Sequence, residues 1–576
     1  FYDVENLTFN YSYNKVEHRD FEIENSLDQN IRAGVNYNYA FEPAKIEPFK
    51  KNDSLFTGKY WKILKDFNIN LLPSSISVNT DINRQFSKQK FREVELGGDN
   101  IGIEELFRRN YTFDFQYAIN YNLTDALSLN FTAANTNIVR NYFIDDRING
   151  RQDPELDVWD GFFDFGDPNL QTQQLQVNYE IPLYKIPVLS FLRATYAYSG
   201  AFQWQKGSDL NEGLVLDGQT YNLGHSIQNS NTHNLNTTLN METFYKTIGL
   251  VRKGNQRGGG RNTAVKRRTA PTPNAAQDNN ATNMAKKGSA GQKAYNTLVD
   301  IVTMVKRIQF GYSENNGTYL PGYLPTPGFI GTLRPTWDYT FGSQRDIRGI
   351  VAESGWLTIF PEFNQQYTEV TNKTLDYSMN LEPMRDLKID LIGNRTYAEN
   401  INETFRALDL NGDGLSDQYE DLITNSFGNF NISTALIKTA FSTSDEFESK
   451  TFDDFRANRL VVANRLAREF YGTNTFATDA EGYPLGFGKN SQRVLLPAFL
   501  SSYQGSDPES ISTSAFRDVP IPNWTLKYTG LMKIPWFKKT FRRFSVQHGY
   551  RSRYTINQFR TNLDLDTDEF NEGQPY

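Results

Sequence analysis

The sequence predicts an all-β fold: part of the wall of a transmembrane antiparallel β-barrel, with insertions at one end. Three observations carry this. Aromatic and aliphatic residues recur with period two, the mark of a strand with one apolar and one polar face. The arms of the resulting hairpins reach the roughly 9–11 residues that a tilted membrane strand needs. Short turns alternate with long loops, as they do in outer-membrane barrels.

The clearest unit runs from 111 to 133. Tyr111, Phe113, Phe115, Tyr117, Ile119, Tyr121 and Leu123 alternate with Thr112, Asp114, Gln116, Ala118, Asn120 and Asn122. A turn at 122–125 follows, and Leu127, Leu129, Phe131 and Ala133 resume the pattern. Upstream, Ile31, Ala33, Val35, Tyr37 and Tyr39 form another arm. Leu175, Val177, Tyr179 and Ile181 lead into the turn 182–187 and a strand to Trp204. Leu375, Tyr377, Met379 and Leu381 lead through 382–386 into Leu387, Ile389 and Leu391. Near the end, Trp524, Leu526 and Tyr528 precede the turn 534–539, and 544–559 returns. A soluble sandwich of short strands would carry Lys and Glu on the exposed face; here that face carries Tyr and Phe.

Composition agrees. The 576 residues are 14% aromatic, with 32 Tyr and 42 Phe, yet only 38% are hydrophobic, and mean hydropathy is −0.60. A barrel tolerates this, because alternate strand residues face a polar lumen. No run approaches the roughly 18 apolar residues of a spanning helix. With no cysteine, disulfides, thiolate nucleophiles and thiolate metal sites are excluded. A net charge of −7 speaks against general nucleic-acid binding. The abrupt first residues read as the approach to a strand, so a fragment of a longer chain is expected.

Taking short turns as periplasmic orders the chain. Residues 1–245 are barrel strands with extracellular loops. Residues 246–305 form a periplasmic linker closed by a short helix over 292–306, with Tyr295, Leu298, Val299, Val302 and Val305 on one stripe. Between Lys246 and Lys287 the linker carries ten Lys and Arg against Asp278 alone, a composition that reads as disordered. Residues 306–397 return to the barrel, 398–522 form an extracellular cap, and 523–576 are barrel strands with an extension. Parity sharpens the cap: the strand from 387 runs outward and that from 523 inward, so a lone strand at 427–441 cannot span. It is expected in the cap beside a helix over 453–470. About eleven to thirteen crossings result, too few to close a barrel alone.

The sharpest local motif is Asp409-Leu-Asn411-Gly-Asp413-Gly-Leu415-Ser-Asp417-Gln-Tyr-Glu420. It fits the calcium-loop pattern, in which Asp409, Asn411, Asp413, the Leu415 carbonyl, Asp417 and a bidentate Glu420 surround one hard cation. Ser416 departs from the apolar residue usual there. Such a lone loop would bind Ca2+ weakly, at about 10⁻⁴–10⁻³ M, and would stiffen the cap rather than catalyse. The alternative is an acidic surface turn that binds nothing tightly. His18, His225, His233 and His548 form no metal or triad pattern, so no enzyme activity is expected.

Five runs also resemble a known family: Lys293-Ala-Tyr-Asn-Thr-Leu-Val-Asp-Ile-Val-Thr-Met-Val-Lys-Arg307, Asn315-Asn-Gly-Thr-Tyr-Leu-Pro-Gly-Tyr323, Phe427-Gly-Asn-Phe-Asn-Ile-Ser-Thr434, Arg493-Val-Leu-Leu-Pro-Ala-Phe499 and His548-Gly-Tyr-Arg-Ser-Arg-Tyr554. Together they resemble the SprA (Sov) family, the giant outer-membrane translocons of the type 9 secretion system of Bacteroidota, over its C-terminal part. The resemblance implies a single-chain barrel of about 36 strands, the largest size known. It also implies a pore for folded cargo bearing C-terminal sorting domains, with a lateral opening. Partners would be a PorV-type shuttle barrel, a periplasmic plug protein, accessory periplasmic subunits and outer-membrane lipid; in gliding species the pathway serves motility. Calcium is not implied by it. The competing reading is a nutrient transporter of the TonB-dependent type, with a plugged barrel of about 22 strands.

Overall fold

The computed structural model describes residues 4–50, 58–92, 104–140, 157–250 and 290–560. Alternation translates directly into strands: β1 (Leu7–His18), β2 (Ile23–Ala40), β3 (Ser75–Phe91), β4 (Leu106–Asn122), β5 (Leu127–Ile138), β6 (Asp167–Ile181), β7 (Leu192–Gln205), β8 (His225–Asn240), β9 (Val305–Tyr323), β10 (Gln366–Met384), β11 (Leu387–Leu408), β12 (Gln418–Ser433), β13 (Asn523–Tyr528), β14 (Val546–Tyr550) and β15 (Arg553–Arg560). These fifteen strands form one antiparallel sheet in thirteen columns, β1 to β12 in chain order and then β15. Among the described residues the sheet does not close on itself; β1 lies at one edge and β14 and β15 at the other.

The last columns are composite. β12 pairs with the far half of β11, from Arg395↔Ile432 to Leu408↔Gln418. β13 pairs with its near half, from Leu387↔Tyr528 to Ile392↔Asn523. The two lie end to end along the same edge of β11, and β15 and β14 repeat the arrangement beside them. The 427–441 strand expected in a separate cap is therefore corrected: its residues to Ser433 belong to the sheet. So do Ala398 to Leu408 and Gln418 to Ser426, which the sequence reading also placed in the cap. Parity treated each crossing as one continuous strand, whereas here residues 434–522 leave and rejoin a column part-way down. The break is hydrogen-bonded, since unpaired backbone groups are costly. The Ile521 amide donates to the Ser433 carbonyl at 3.0 Å, the Asn394 amide to Ser433 Oγ at 3.1 Å, and the Ser552 amide to Asn523 Oδ1 at 2.7 Å.

Antiparallel order assigns the connections to two ends. One end, here the turn end, carries 41–74, 123–126, 182–191, 241–304, 385–386 and 529–545; the loop end carries 19–22, 92–105, 139–166, 206–224, 324–365 and 409–417. Short and long do not segregate strictly, since 19–22 is short and 41–74 long. Residues 251–289, the core of the expected basic linker, lie outside the described residues. The helix after them is α1 (Ala290–Val302), with Val299 buried but Leu298 and Val302 exposed, so only part of the predicted stripe packs. The insertion 434–522 holds α2 (Lys450–Tyr471) and α3 (Gln492–Gln504). A second buried core, Ala463, Ala467, Tyr483, Phe487 and Val494, joins them.

A two-faced sheet as candidate functional site

The paired register places residues across the sheet on two faces. On the polar face Arg32 pairs with Asp81 at 2.9 Å, Thr136 Oγ1 donates to Asp114 at 2.6 Å, and Asn380 donates to Asp390 at 2.7 Å. Around them Asn, Ser, Thr and Gln fill nearly every alternate position. A hollow of about 530 Å³ spans β5 to β10 on this face, lined by Thr132, Gln174, Gln203, Gln228, Ser230 and Thr368 among others.

The aromatic face changes along its length. Toward the turn end it is a continuous apolar band: Leu127, Leu129 and Phe131 beside Leu175, Val177 and Tyr179, then Tyr196 and Tyr198, then Ile308, Phe310 and Tyr312 beside Leu375, Tyr377 and Met379. The band continues through Ile389 and Leu391 to Trp524 and Leu526. None of these residues belongs to the four buried clusters among the described residues, and they remain part-exposed. Toward the loop end the same face is covered. Val139 and Val158 pack on Ile31, Phe86 and Tyr111. Residues 324–365 pack Tyr339, Ile347, Val351 and Leu357 on Phe202, Trp204, Ile227, Leu320 and Phe405. The 434–522 insertion packs Leu500 and Ile511 on Phe430, Ile432 and Tyr554.

Sequence anticipated the bare band but missed this covering. Its signal was present: on the aromatic face the upper positions turn to Asn135, Gln173, Asn229 and Asn231. Those amides donate to loop carbonyls, Asn229 to Tyr339 at 3.0 Å, Asn231 to Gly342 at 2.7 Å and Gln173 to Thr332 at 2.7 Å. Trp204 Nε1 donates to the Pro325 carbonyl at 3.0 Å. Gly200 lets the 341–342 backbone lie against the sheet; a Cβ there would overlap the Phe341 carbonyl oxygen.

Arg348 locks the same segment. It is buried, donates to Asp346 at 2.9 Å, Glu403 at 2.8 Å and Asp421 at 3.0 Å, and stacks over Tyr367 at 4.2 Å. Burial pushes the Asp346 carboxyl up, but the Arg348 guanidinium and backbone amide outweigh it and hold it below the ordinary range.

The six residues of the calcium-like motif sit in and beside the β11–β12 loop. Asp409 accepts the Gly412 and Gly414 amides at 2.7 and 2.9 Å, Asn411 the Asp413 amide at 2.9 Å, and Asp413 the Leu415 amide at 2.9 Å. Asp417 accepts the Leu410 amide at 2.8 Å. The Gly414 amide, followed by that of Gly412, holds the exposed Asp409 carboxyl below the usual range. Glu420 is not brought into this set: it lies on β12, ion-paired with Arg406 on β11. Among the described residues no group of three or more His, Asp or Glu converges as a metal cage. The side-chain oxygens of Asp409, Asn411, Asp413 and Asp417 are instead taken up by the loop's own amides, and the closing carboxylate of Glu420 is turned away to Arg406. Ser416, anomalous in the motif, is buried; its Oγ donates to the Ala352 carbonyl at 3.0 Å and accepts the Leu357 amide at 3.2 Å. The loop is thus stitched to the covering segment.

No protein-family model and no curated protein matches this chain.

Proposed function

We propose that the sheet is part of the wall of an outer-membrane β-barrel that conducts folded proteins, in the manner the SprA-like runs imply. The observation that carries the membrane reading is the uncovered apolar band opposite a polar face. In water such a band would be a large exposed apolar patch; in a bilayer it meets the apolar belt about 25 Å tall that barrels present. β11, at 22 residues and roughly 3.3 Å per residue, is far longer than that belt, and its excess lies where the insertions cover it. Tyr198, Tyr312, Tyr377 and Tyr397 stand near the boundary, where aromatic girdles sit.

The polar face supports passage. Neutral Asn, Ser, Thr and Gln stay hydrated and offer a moving polypeptide neither strong charge nor apolar grip, and a wide barrel leaves an aqueous lumen. The cargo class, the PorV-type shuttle, the plug protein, the accessory periplasmic subunits and the motility role rest on the resemblance.

The chain's lack of cysteine gives the test. Single cysteines at Leu375, Tyr377 and Met379, and at Asp376, Ser378 and Asn380, are introduced into the protein in outer-membrane vesicles and treated with a water-soluble maleimide. Labelling of the polar-face set with protection of the aromatic-face set is expected. Uniform labelling of both sets would refute the membrane wall.

A further inference from the structure

We infer that a cleft at the turn end of β5–β7 holds an acyl chain of a glycerophospholipid from the adjoining leaflet, with its phosphate beside Lys185. This rests on the membrane reading above. The cleft has a volume of about 640 Å³, inside the roughly 300–1,000 Å³ of ligand clefts. Its floor is the aromatic face itself, at Leu127, Val177 and Tyr196, and its roof is Ile63, Leu64 and Phe67.

The roof is fixed in place. It is built on a short helical turn, Lys62–Lys65, and is pinned to the β4–β5 turn by buried Asn68. The Asn68 side chain donates to Asp125 at 3.0 Å and accepts the Asp125 amide at 2.9 Å. The Asn70 amide donates to the Leu123 carbonyl at 2.9 Å, and Tyr121 donates to the Asn70 carbonyl at 2.6 Å. Polar side chains thus hold an apolar shelf away from the sheet rather than collapsing it onto the strands.

Three features select the occupant. The floor is continuous with the bare band, so in a bilayer the cleft opens into hydrocarbon, and an acyl chain covers its apolar floor and roof while Asn68 and Asp125 in its lining stay paired with each other. The outer surface of the shelf exposes Tyr60, Trp61 and Leu64, the amphipathic rings and aliphatics that settle at a membrane interface. Lys185 lines the cleft, 3.4 Å from Asp66. Lysines at this depth reach toward headgroups with their stems along the apolar surface. A water-soluble ligand would need convergent polar groups in the cleft, and the polar side chains there are already engaged: Asn68 with Asp125, and Asp125 with Lys45 at 2.7 Å.

Native mass spectrometry of the intact chain released from detergent provides the test. One retained glycerophospholipid per chain is expected. Val177→Trp, which fills the floor, should abolish retention, whereas Leu375→Trp, on the band outside the cleft, should keep it. Lys185→Glu should cut retention by at least about fivefold, since one lysine near a phosphate headgroup favours it by roughly that factor. Equal retention by Val177→Trp and the unaltered protein would overturn the proposal. So would no retained lipid. Quenching of Trp524 on the band by brominated acyl chains in vesicles, in a protein whose other six tryptophans are replaced by Phe, tests the membrane reading separately. Quenched Trp524 with no retained lipid rejects the cleft alone; unquenched Trp524 rejects the wall beneath it.

Discussion

Replacing Arg348 with Met removes the guanidinium that ties residues 324–365 to β11 and β12. Three carboxylates lose a partner, but not equally. The side chains of Asp346 and Asp421 are 40% and 51% exposed, so water screens them and each loses at most about 1 kcal/mol. Glu403 is only 10% exposed and is left beside the Asp421 carboxylate with no cation to balance it. Leaving one partner of a buried pair uncompensated costs about 3–5 kcal/mol, and losing the stack over Tyr367 adds about 0.5–2 kcal/mol. The single variant should therefore release the covering segment at a cost of roughly 4–7 kcal/mol. Hydrogen exchange of the amides at 347–357, in the protein held in lipid, reads this as lost protection. The double variant Arg348→Met with Glu403→Leu should recover most of the loss, because an apolar pair can replace a buried ion pair at little cost. A loss below about 1 kcal/mol for the single variant, or a double variant no better than the single, would refute the reasoning.

The remaining expectations concern the same covered end. Gly200→Val should strip the 341–342 backbone from the sheet, exposing the Trp204 indole, with its fluorescence shifting to longer wavelength in a protein whose other six tryptophans are replaced by Phe; an unchanged spectrum would contradict the close approach. The β11–β12 loop should loosen in acid: the Asp409 carboxyl is held below its ordinary value, so its capping is complete above about pH 4 and is lost as pH falls through that depressed value, read by exchange at Gly412 and Gly414. Calcium should bind this loop no more tightly than about 10⁻⁴ M. Asp409→Ala should abolish that binding and Glu420→Ala leave it unchanged, measured by calorimetry.

Much of the sheet was legible in the sequence because a two-faced strand writes its faces at period two. The hairpins at Asn122, Ile181 and Met384 fall where the alternation breaks. Three things were not legible. Alternation marks a strand but not its partner, so nothing revealed that Gln418–Ser433 and Asn523–Tyr528 share one column. The covering segment 324–365 has little period of its own, because it binds through backbone carbonyls that any residue supplies. Glu420 matched a spacing rule, but spacing cannot see that Arg406 stands opposite it on the neighbouring strand. Ser416 is the converse: a mismatch to the motif that the structure explains as a docking contact.

The most direct test is whether the sheet belongs to a closed barrel, and of how many strands, by electron microscopy of the purified protein. A single-chain wall of about 36 strands, with the aromatic band of β4–β11 facing lipid and their polar face lining the lumen, is the expected result. A closed barrel of about 22 strands around an internal plug, or a sheet whose aromatic band packs against protein in a water-soluble particle, would contradict it.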